Sequence, residues 1–195
     1  MGRPLAVAIT GGIGAGKSEA LEAFARHGAA VVSSDEIVHH LLRADDDVRR
    51  ALVERLGDGI LGEDGRPDRA LIGRRVFGDP EALAWLEALL HPRVSQEYLT
   101  WRERLAELPE PPAVCVTEVP LLYEVGADER FDAVVAITAP EELRAARRRP
   151  PADDRDARLL PDEEKVRRAD YAYVNEGTLE ELDAWVASLL ERLAA

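Results

Sequence analysis

The stretch that decides the fold is LAVAITGGIGAGKS, which occupies residues 5–18. Its first six residues form an apolar run with the length of a buried strand. A glycine-rich turn follows at 11–16, and residues 17–27 then carry Ala20, Leu21 and Phe24 at helical spacing, with Gly28 as the predicted end of the helix. The sequence therefore predicts a strand, a tight loop and an amphipathic helix in direct succession.

The loop at residues 11–18 fits the phosphate-binding pattern G-x-x-x-x-G-K followed by Ser or Thr. Glycines let backbone N–H groups converge on phosphate oxygens, and the N-terminus of the next helix adds its positive dipole end. In this pattern Lys17 reaches the β- and γ-phosphates, and the Ser18 hydroxyl binds Mg²⁺. The dinucleotide pattern G-x-G-x-x-G fails because Lys17 stands where its third glycine belongs. We therefore predict that nucleotide phosphates bind at Gly12, Ile13, Gly14, Ala15, Gly16, Lys17, Ser18 and Glu19.

Further apolar runs predict the rest of a sheet. Buried strands are predicted at 29–32, 114–119 and 133–138, a last strand at 171–174 and a closing amphipathic helix at 179–193. Strands and helices alternate at both ends of the chain, which is typical of βαβ units. The fold class predicted from this pattern is α/β with a parallel five-stranded sheet.

Asp35 follows the second predicted strand, at the carboxyl end of a parallel sheet, where ligands bind in such folds. One interpretation makes it the group that orients an acceptor hydroxyl and takes its proton. The other makes it a plain N-cap, because Ser33-Ser34-Asp35 is a capping cluster before a helix that begins near Glu36. The local sequence leaves both interpretations open.

The middle of the chain has a different character. Residues 45–110 contain helical stretches at 47–56, 69–77 and 80–90 and another after Pro92, separated by turn-rich segments. We predict a single domain whose core comprises residues 1–44, 111–144 and 163–195, with a helical insert at 45–110. Residues 145–162 are polar and are predicted to form a flap.

Composition limits the classes of function. The net charge of −13, from 38 acidic against 25 basic residues, argues against a broad nucleic-acid surface. No apolar run reaches the roughly 20 residues that a membrane helix needs, and no signal peptide is visible. The single cysteine, Cys115, excludes an intramolecular disulfide and a cysteine-based metal site. We expect a cytoplasmic protein that is a monomer or a weak homo-oligomer and has neither a nucleic-acid nor a membrane partner.

Several elements, in order, resemble the dephospho-coenzyme A kinase family. The opening at residues 9–18 is similar to the family's own, which is more constrained than a general phosphate loop. Residues 31–35 resemble its Asp-Ala-Asp segment, and residues 64–69 resemble its Asp-Gly-x-Leu-Asp-Arg element. His91-Pro92 is similar to its His-Pro signature, and residues 120–124 resemble Pro-Leu-Leu-x-Glu. Residues 169–177 resemble its Ala-Asp and Asn-x-Gly elements.

The resemblance implies a three-layer P-loop kinase fold and ATP-dependent phosphorylation of the ribose 3′-hydroxyl of dephospho-coenzyme A, with Mg²⁺ as the cofactor. It implies that Asp35 is the catalytic base and that Lys17 stabilises the transferring phosphoryl group. The insert at 45–110 resembles the family's coenzyme A domain, and the flap at 145–162 resembles its lid. The acceptor site implied in this way comprises Thr10, Asp35, Arg69, His91, Pro120, Leu121 and Leu122. The further ATP contacts implied are Arg144, Arg147 and Asn175.

The chain departs from the family at several positions. Ser33 replaces the first Asp of the family pair, and Glu19 stands where Thr is usual, which adds negative charge near the phosphates. Glu118 stands where an Asp often precedes Pro-Leu-Leu, and it either helps to position Mg²⁺ or only ends the strand. The flap is short, with Leu159 at the position of a usual Gln, although Arg148 and Arg149 remain beside the other two arginines. These departures predict weakened or remodelled closure over ATP.

Three other functions stay open at this stage. One is another small phosphate-loop kinase, with a nucleotide, nucleoside or shikimate-like acceptor. A second is a nucleotide-binding switch, although the chain lacks the Asn-Lys-x-Asp motif of a GTPase. A third is a degenerate relative that binds ATP or coenzyme A with little turnover.

Overall fold

The computed structural model describes residues 3–147 and 159–194, and its five strands form one parallel sheet. The strand order is β2-β3-β1-β4-β5, so β1 lies at the centre. This arrangement confirms the predicted α/β class. The strands are β1 (Leu5–Thr10), β2 (Ala30–Ser33), β3 (Val114–Glu118), β4 (Ala133–Thr138) and β5 (Tyr171–Val174).

The described part of the chain also contains eight α-helices. They are α1 (Lys17–Arg26), α2 (Ser34–Ala44), α3 (Asp46–Leu56), α4 (Arg69–Val76), α5 (Pro80–Ala106), α6 (Glu141–Arg147), α7 (Asp162–Arg168) and α8 (Leu179–Ala194). None of the helices in this part has both the length and the apolar character of a membrane span.

The register of the central strands brings several chain segments to one edge of the sheet. Ile9 of β1 pairs with Glu118 of β3 on one side and with Val135 of β4 on the other. All pairs are parallel, so the loops that follow β1, β3 and β4 leave from the same edge. That edge carries the glycine loop.

The chain divides into two compact units. The sheet unit comprises the chain up to Ser33 together with the chain from Arg102 onward. Its core is almost entirely aliphatic, as the low aromatic content predicts, and Phe24 of α1 is the one fully buried aromatic side chain of this core among the described residues. Helices α1 and α8 pack on each other, and α8 buries Leu182, Val186 and Leu189. Burial of aliphatic surface on both faces explains why β1 and β4 lack polar alternation.

The helical unit is Ser34–Trp101, whereas the sequence predicted an insert at 45–110. The first boundary was placed too late because Leu42 and Val38 of α2 pack with the core of the insert. The second was placed too late because the end of α5 belongs to the sheet unit, where the Arg102 guanidinium donates a hydrogen bond to the Arg130 carbonyl over 3.0 Å. Composition carries no signal for either contact.

Helix α5 is continuous from Pro80 to Ala106, although the sequence predicted a break near Pro92. Proline inside a helix removes one backbone donor and costs about 3 kcal/mol. Pro92 has no N–H for the Ala88 carbonyl, and the Arg93 guanidinium donates to the next carbonyl along, that of Leu89, over 2.8 Å. Burial of Leu90 and Tyr98 on either side of the proline favours the continuous helix.

Candidate phosphate-binding and catalytic site

The loop between β1 and α1 packs so closely against its neighbours that Gly11 and Gly16 have no room for a side chain. Gly11 has φ +146°, and a Cβ there would lie 1.9 Å from the Ile137 carbonyl oxygen. Gly16 has φ +95°, and a Cβ there would lie 2.1 Å from Nδ2 of Asn175. A side chain at either position would meet both backbone strain and a steric clash. The glycine pattern is therefore a packing requirement of this loop.

Lys17 is the first residue of α1 and is largely buried against the loop. Its Nζ donates a hydrogen bond to the Gly12 carbonyl oxygen over 3.0 Å, so the charge lies over the loop. Burial lowers the pKa of Lys17, and the Glu118 carboxylate acts in the opposite direction. A buried ammonium group that bonds to a loop carbonyl is well placed to gain from an arriving anion.

Ser18 and Glu118 bring a hydroxyl and a carboxylate together beside the loop. The Ser18 Oγ donates to Oε2 of Glu118 over 3.4 Å, and Glu118 is the last residue of β3. Oxygen donors of these two types suit Mg²⁺. Within residues 3–147 and 159–194, no group of three His, Cys, Asp or Glu residues could hold a metal by itself. The pair therefore fits an ion whose other ligands are phosphate oxygens and water.

Of the three residues predicted to contact ATP from beyond the loop, Arg144 and Asn175 lie against the loop, and Arg147 contacts Asn175. A Cβ on Gly12 would lie 2.8 Å from Cζ of Arg144. Asn175 donates from Nδ2 to the Ala15 carbonyl oxygen over 2.9 Å, and the Arg147 guanidinium donates to the Asn175 carbonyl oxygen over 3.4 Å. Arg148 and Arg149, with most of the predicted flap, lie outside the described residues.

The sheet unit carries four of the residues predicted for the acceptor site, Thr10 at the end of β1 and residues 120–122 in the loop after β3. Thr10 donates from Oγ1 to the Pro120 carbonyl oxygen over 3.3 Å, which ties the end of β1 to this loop. Leu121 is half-buried. Leu122 is fully buried in a small cluster with Tyr123 and Val134, so its side chain serves the core and is not available to a ligand.

The helical unit pairs Asp35 with Arg69. Helix α2 begins at Ser34, so Asp35 lies in the first turn and is not the N-cap that the second interpretation required. Its Oδ1 accepts a hydrogen bond from Nη2 of Arg69 over 2.9 Å, and both side chains are exposed. Asp68 caps α4 by accepting from the Leu71 N–H, which starts the helix at Arg69. His91 is exposed within α5 and does not end a helix.

Comparison with known proteins decides the family. The family model described as Dephospho-CoA kinase matches residues 5–181. The chain belongs to the dephospho-CoA kinase family. It is 36% identical over 197 residues to the dephospho-CoA kinase of Syntrophotalea carbinolica, covering 97% of this chain and 92% of that protein. The corresponding protein of Thermobifida fusca is also 36% identical, over 196 residues, covering 97% of this chain and 96% of that protein.

Solved structures agree with the fold of this family member. The crystal structure of TT1252 from Thermus thermophilus has a TM-score of 0.77 at 32% identity, covering 98% of this chain and 99% of that one. The dephospho-CoA kinase from Campylobacter jejuni has a TM-score of 0.69 at 24% identity and covers 98% of both chains. The P-loop kinase fold is thus confirmed, and membership in the family makes the chain a kinase.

Sequence reasoning missed two residues of this kinase, Asp162 beside the phosphate loop and Lys165 beside the loop that follows β3. Lys165 is completely buried, and its Nζ donates to Oε1 of Glu124 over 2.9 Å and to the Pro120 carbonyl oxygen over 2.8 Å. Asp162 accepts from the Arg144 guanidinium over 2.5 Å. One signal was present, because Lys165 is one of only two lysines in an arginine-rich chain. No sequence signal distinguished Asp162 from its acidic neighbours.

Proposed function

We propose that this kinase transfers the γ-phosphoryl group of ATP to the ribose 3′-hydroxyl of dephospho-coenzyme A, giving coenzyme A and ADP. The observation that carries the proposal is the match of the Dephospho-CoA kinase family model to residues 5–181 of a chain whose loop buries Lys17. The shikimate-like, switch and degenerate alternatives have no comparable support.

On the donor side, Lys17 and the loop N–H groups would bind the β- and γ-phosphates. Ser18 and the adjacent Glu118 carboxylate are the residues that would hold Mg²⁺. When bound, this ion neutralises the developing charge on the phosphate oxygens. Arg144 would add a further positive charge beside Gly12.

On the acceptor side, Asp35 would act as the base. The 3′-oxygen forms a bond to the γ-phosphorus, the bond from that phosphorus to the β,γ-bridging oxygen breaks, and the hydroxyl proton passes to the Asp35 carboxylate. Nη2 of Arg69 donates a hydrogen bond to Oδ1 of Asp35 over 2.9 Å, which helps to orient the carboxylate.

A cytoplasmic location and a monomeric or weakly associated state stay predictions from the sequence.

A coupled ADP-release assay with Mg-ATP, run with and without dephospho-coenzyme A, tests the activity. We expect ADP release that depends on the acceptor, and mass spectrometry should show one added phosphate on it. Tight ATP binding without release would instead identify a degenerate binder or a kinase with another acceptor.

Asp35→Asn tests the assignment of the base. Turnover should fall by roughly 100-fold while the affinity for ATP is unchanged, because general-base loss acts on the chemical step. Glu54→Gln is the matched control, since Glu54 is an exposed acid on α3 of the same unit. Normal turnover in Asp35→Asn would remove Asp35 from the mechanism.

Lys17→Ala tests the donor side. It should weaken both nucleotide binding and turnover, because the lysine contacts phosphate oxygens in the ground state and in the transition state. Isothermal titration with Mg-ATP measures the binding directly. Unchanged affinity would contradict the phosphate-binding role of the loop.

A further inference from the structure

An ion pair between Arg144 and Asp162 lies beside the phosphate loop. Arg144 is on α6 and Asp162 is the first residue of α7. Nη1 of Arg144 donates to Oδ2 of Asp162 over 2.5 Å, and the two side chains are only 16% and 17% exposed. Nη2 of Arg144 also lies 3.4 Å from the exposed Glu141 carboxylate. Arg144 Nε is buried without a hydrogen-bond partner among the described residues.

The Arg144–Asp162 pair lies at the end of the loop that carries Gly12. A Cβ on Gly12 would lie 2.8 Å from Cζ of Arg144 and 2.9 Å from Oδ1 of Asp162, so both members of the pair touch this glycine. The Lys17 ammonium bonds to the carbonyl oxygen of the same Gly12. Because this lysine serves the β- and γ-phosphates in such loops, the pair borders the position of the terminal phosphates.

Two carboxylates and two further cations act on Lys17 at this end of the loop. Asp162 and Glu118 act to raise the pKa of Lys17, whereas Arg144 and Lys165 act to lower it. A carboxylate offers the guanidinium the same charge sign and the same oxygen acceptors as a phosphate. The Asp162 carboxylate therefore neutralises Arg144 and accepts its hydrogen bond, as a terminal phosphate of the nucleotide would.

We propose that Asp162 is an internal counter-ion that the terminal phosphates of the nucleotide must displace from Arg144. Asp162 thus sets nucleotide affinity according to the number of phosphates and lowers the affinity for ATP more than that for AMP. The inference rests on the proposed use of ATP and names a determinant of its binding. A residue that only positioned Arg144 for phosphate would have the opposite effect, because its loss would weaken ATP binding.

Asp162→Asn separates these two roles, since it keeps the side-chain shape and removes the charge. We expect the dissociation constant for Mg-ATP, from isothermal titration, to fall about tenfold, a factor equal to about 1.4 kcal/mol. The gain should be smaller for Mg-ADP and absent for AMP. In an Arg144→Met background the same substitution should gain much less, because there is no guanidinium to release. Glu163→Gln, an exposed acid one residue along α7, is the charge-matched control and should change nothing.

Unchanged or weaker ATP binding in Asp162→Asn would overturn the proposal, and so would an equal gain for AMP. Asp162→Ser provides a second neutral variant, and thermal unfolding curves establish that each protein is folded. The titrations contain no acceptor. A failure to phosphorylate dephospho-coenzyme A would therefore count against the proposed function and leave this test intact.

Discussion

We expect the substitution Lys165→Met to destabilise the protein strongly, because Lys165 forms a buried ion pair. Its side chain is completely buried, and its Nζ contacts Oε1 of Glu124 at 2.9 Å and the Pro120 carbonyl oxygen at 2.8 Å. Glu124 is itself only 12% exposed, and its Oε2 has no hydrogen-bond partner in the part of the chain that the structure describes. Lys165→Met keeps most of the side-chain volume but leaves the Glu124 carboxylate with one described donor, the Leu160 N–H at 2.8 Å.

The magnitude follows from this uncompensated charge. Removing one partner of a buried ion pair costs about 3–5 kcal/mol. In a protein of this size 1 kcal/mol corresponds to a shift in Tm of about 2–4 °C, so Lys165→Met should melt roughly 10 °C below the unchanged protein. Urea unfolding at pH 7 measures the free energy directly, and calorimetry measures the Tm.

Two further variants distinguish a buried charge from a general loss of packing. Lys165→Met combined with Glu124→Gln should recover much of the stability, because both charges are then gone while an amide oxygen still accepts from the Leu160 N–H. Arg167→Met, on the same helix, removes a side chain that is 75% exposed and paired with the half-buried Glu164, and it should cost less than about 1 kcal/mol. A loss below about 1 kcal/mol in Lys165→Met, or a double variant as unstable as the sum of the single ones, would refute the reasoning.

Two other predictions concern the loop and the core. Gly16→Ala should weaken Mg-ATP binding at least tenfold, whereas Gly28→Ala should leave it unchanged. Both glycines have φ +95°, but only at Gly16 would the new Cβ meet a neighbour, the Asn175 amide at 2.1 Å. Equal losses in a titration would show that backbone strain alone matters. Cys115 is buried and its pKa is raised by that burial, so Ellman's reagent at pH 8 should detect no thiol until denaturant is added; rapid reaction of the native protein would contradict this burial.

Local signals explain why the nucleotide-binding half was predictable. Residues 5–18 carry an apolar run, glycines at obligatory positions and a helix start within fourteen residues, and the structure has β1 and α1 where the sequence placed them. The close approaches at Gly11 and Gly16 supply the physical reason for those glycines. A short-range pattern of this kind needs no knowledge of the rest of the chain.

Predictions that depended on local signals alone were less successful elsewhere. Pro92 is a helix breaker by local rules, yet α5 continues through it because the buried side chains of Leu90 and Tyr98 hold the helix on either side. The capping interpretation of Asp35 was equally reasonable, but the helix begins two residues earlier, at Ser34, and the carboxylate pairs with Arg69. At Pro92, burial of neighbouring side chains outweighed local propensity.

The sequence by itself determined the α/β class, the identity of the phosphate loop and the kinase family, because hydrophobic period, glycine positions and ordered motifs are all carried by residues close together in the chain. Only the tertiary structure decided the strand order β2-β3-β1-β4-β5 and the set of charges around the loop. Arg144, Asp162 and Asn175 lie more than a hundred residues from the phosphate loop in sequence. They reach the loop because parallel strands carry their connections to the same edge of the sheet. Contacts between residues so far apart in sequence depend on the packing of the whole unit. A local hydrophobic pattern does not predict them.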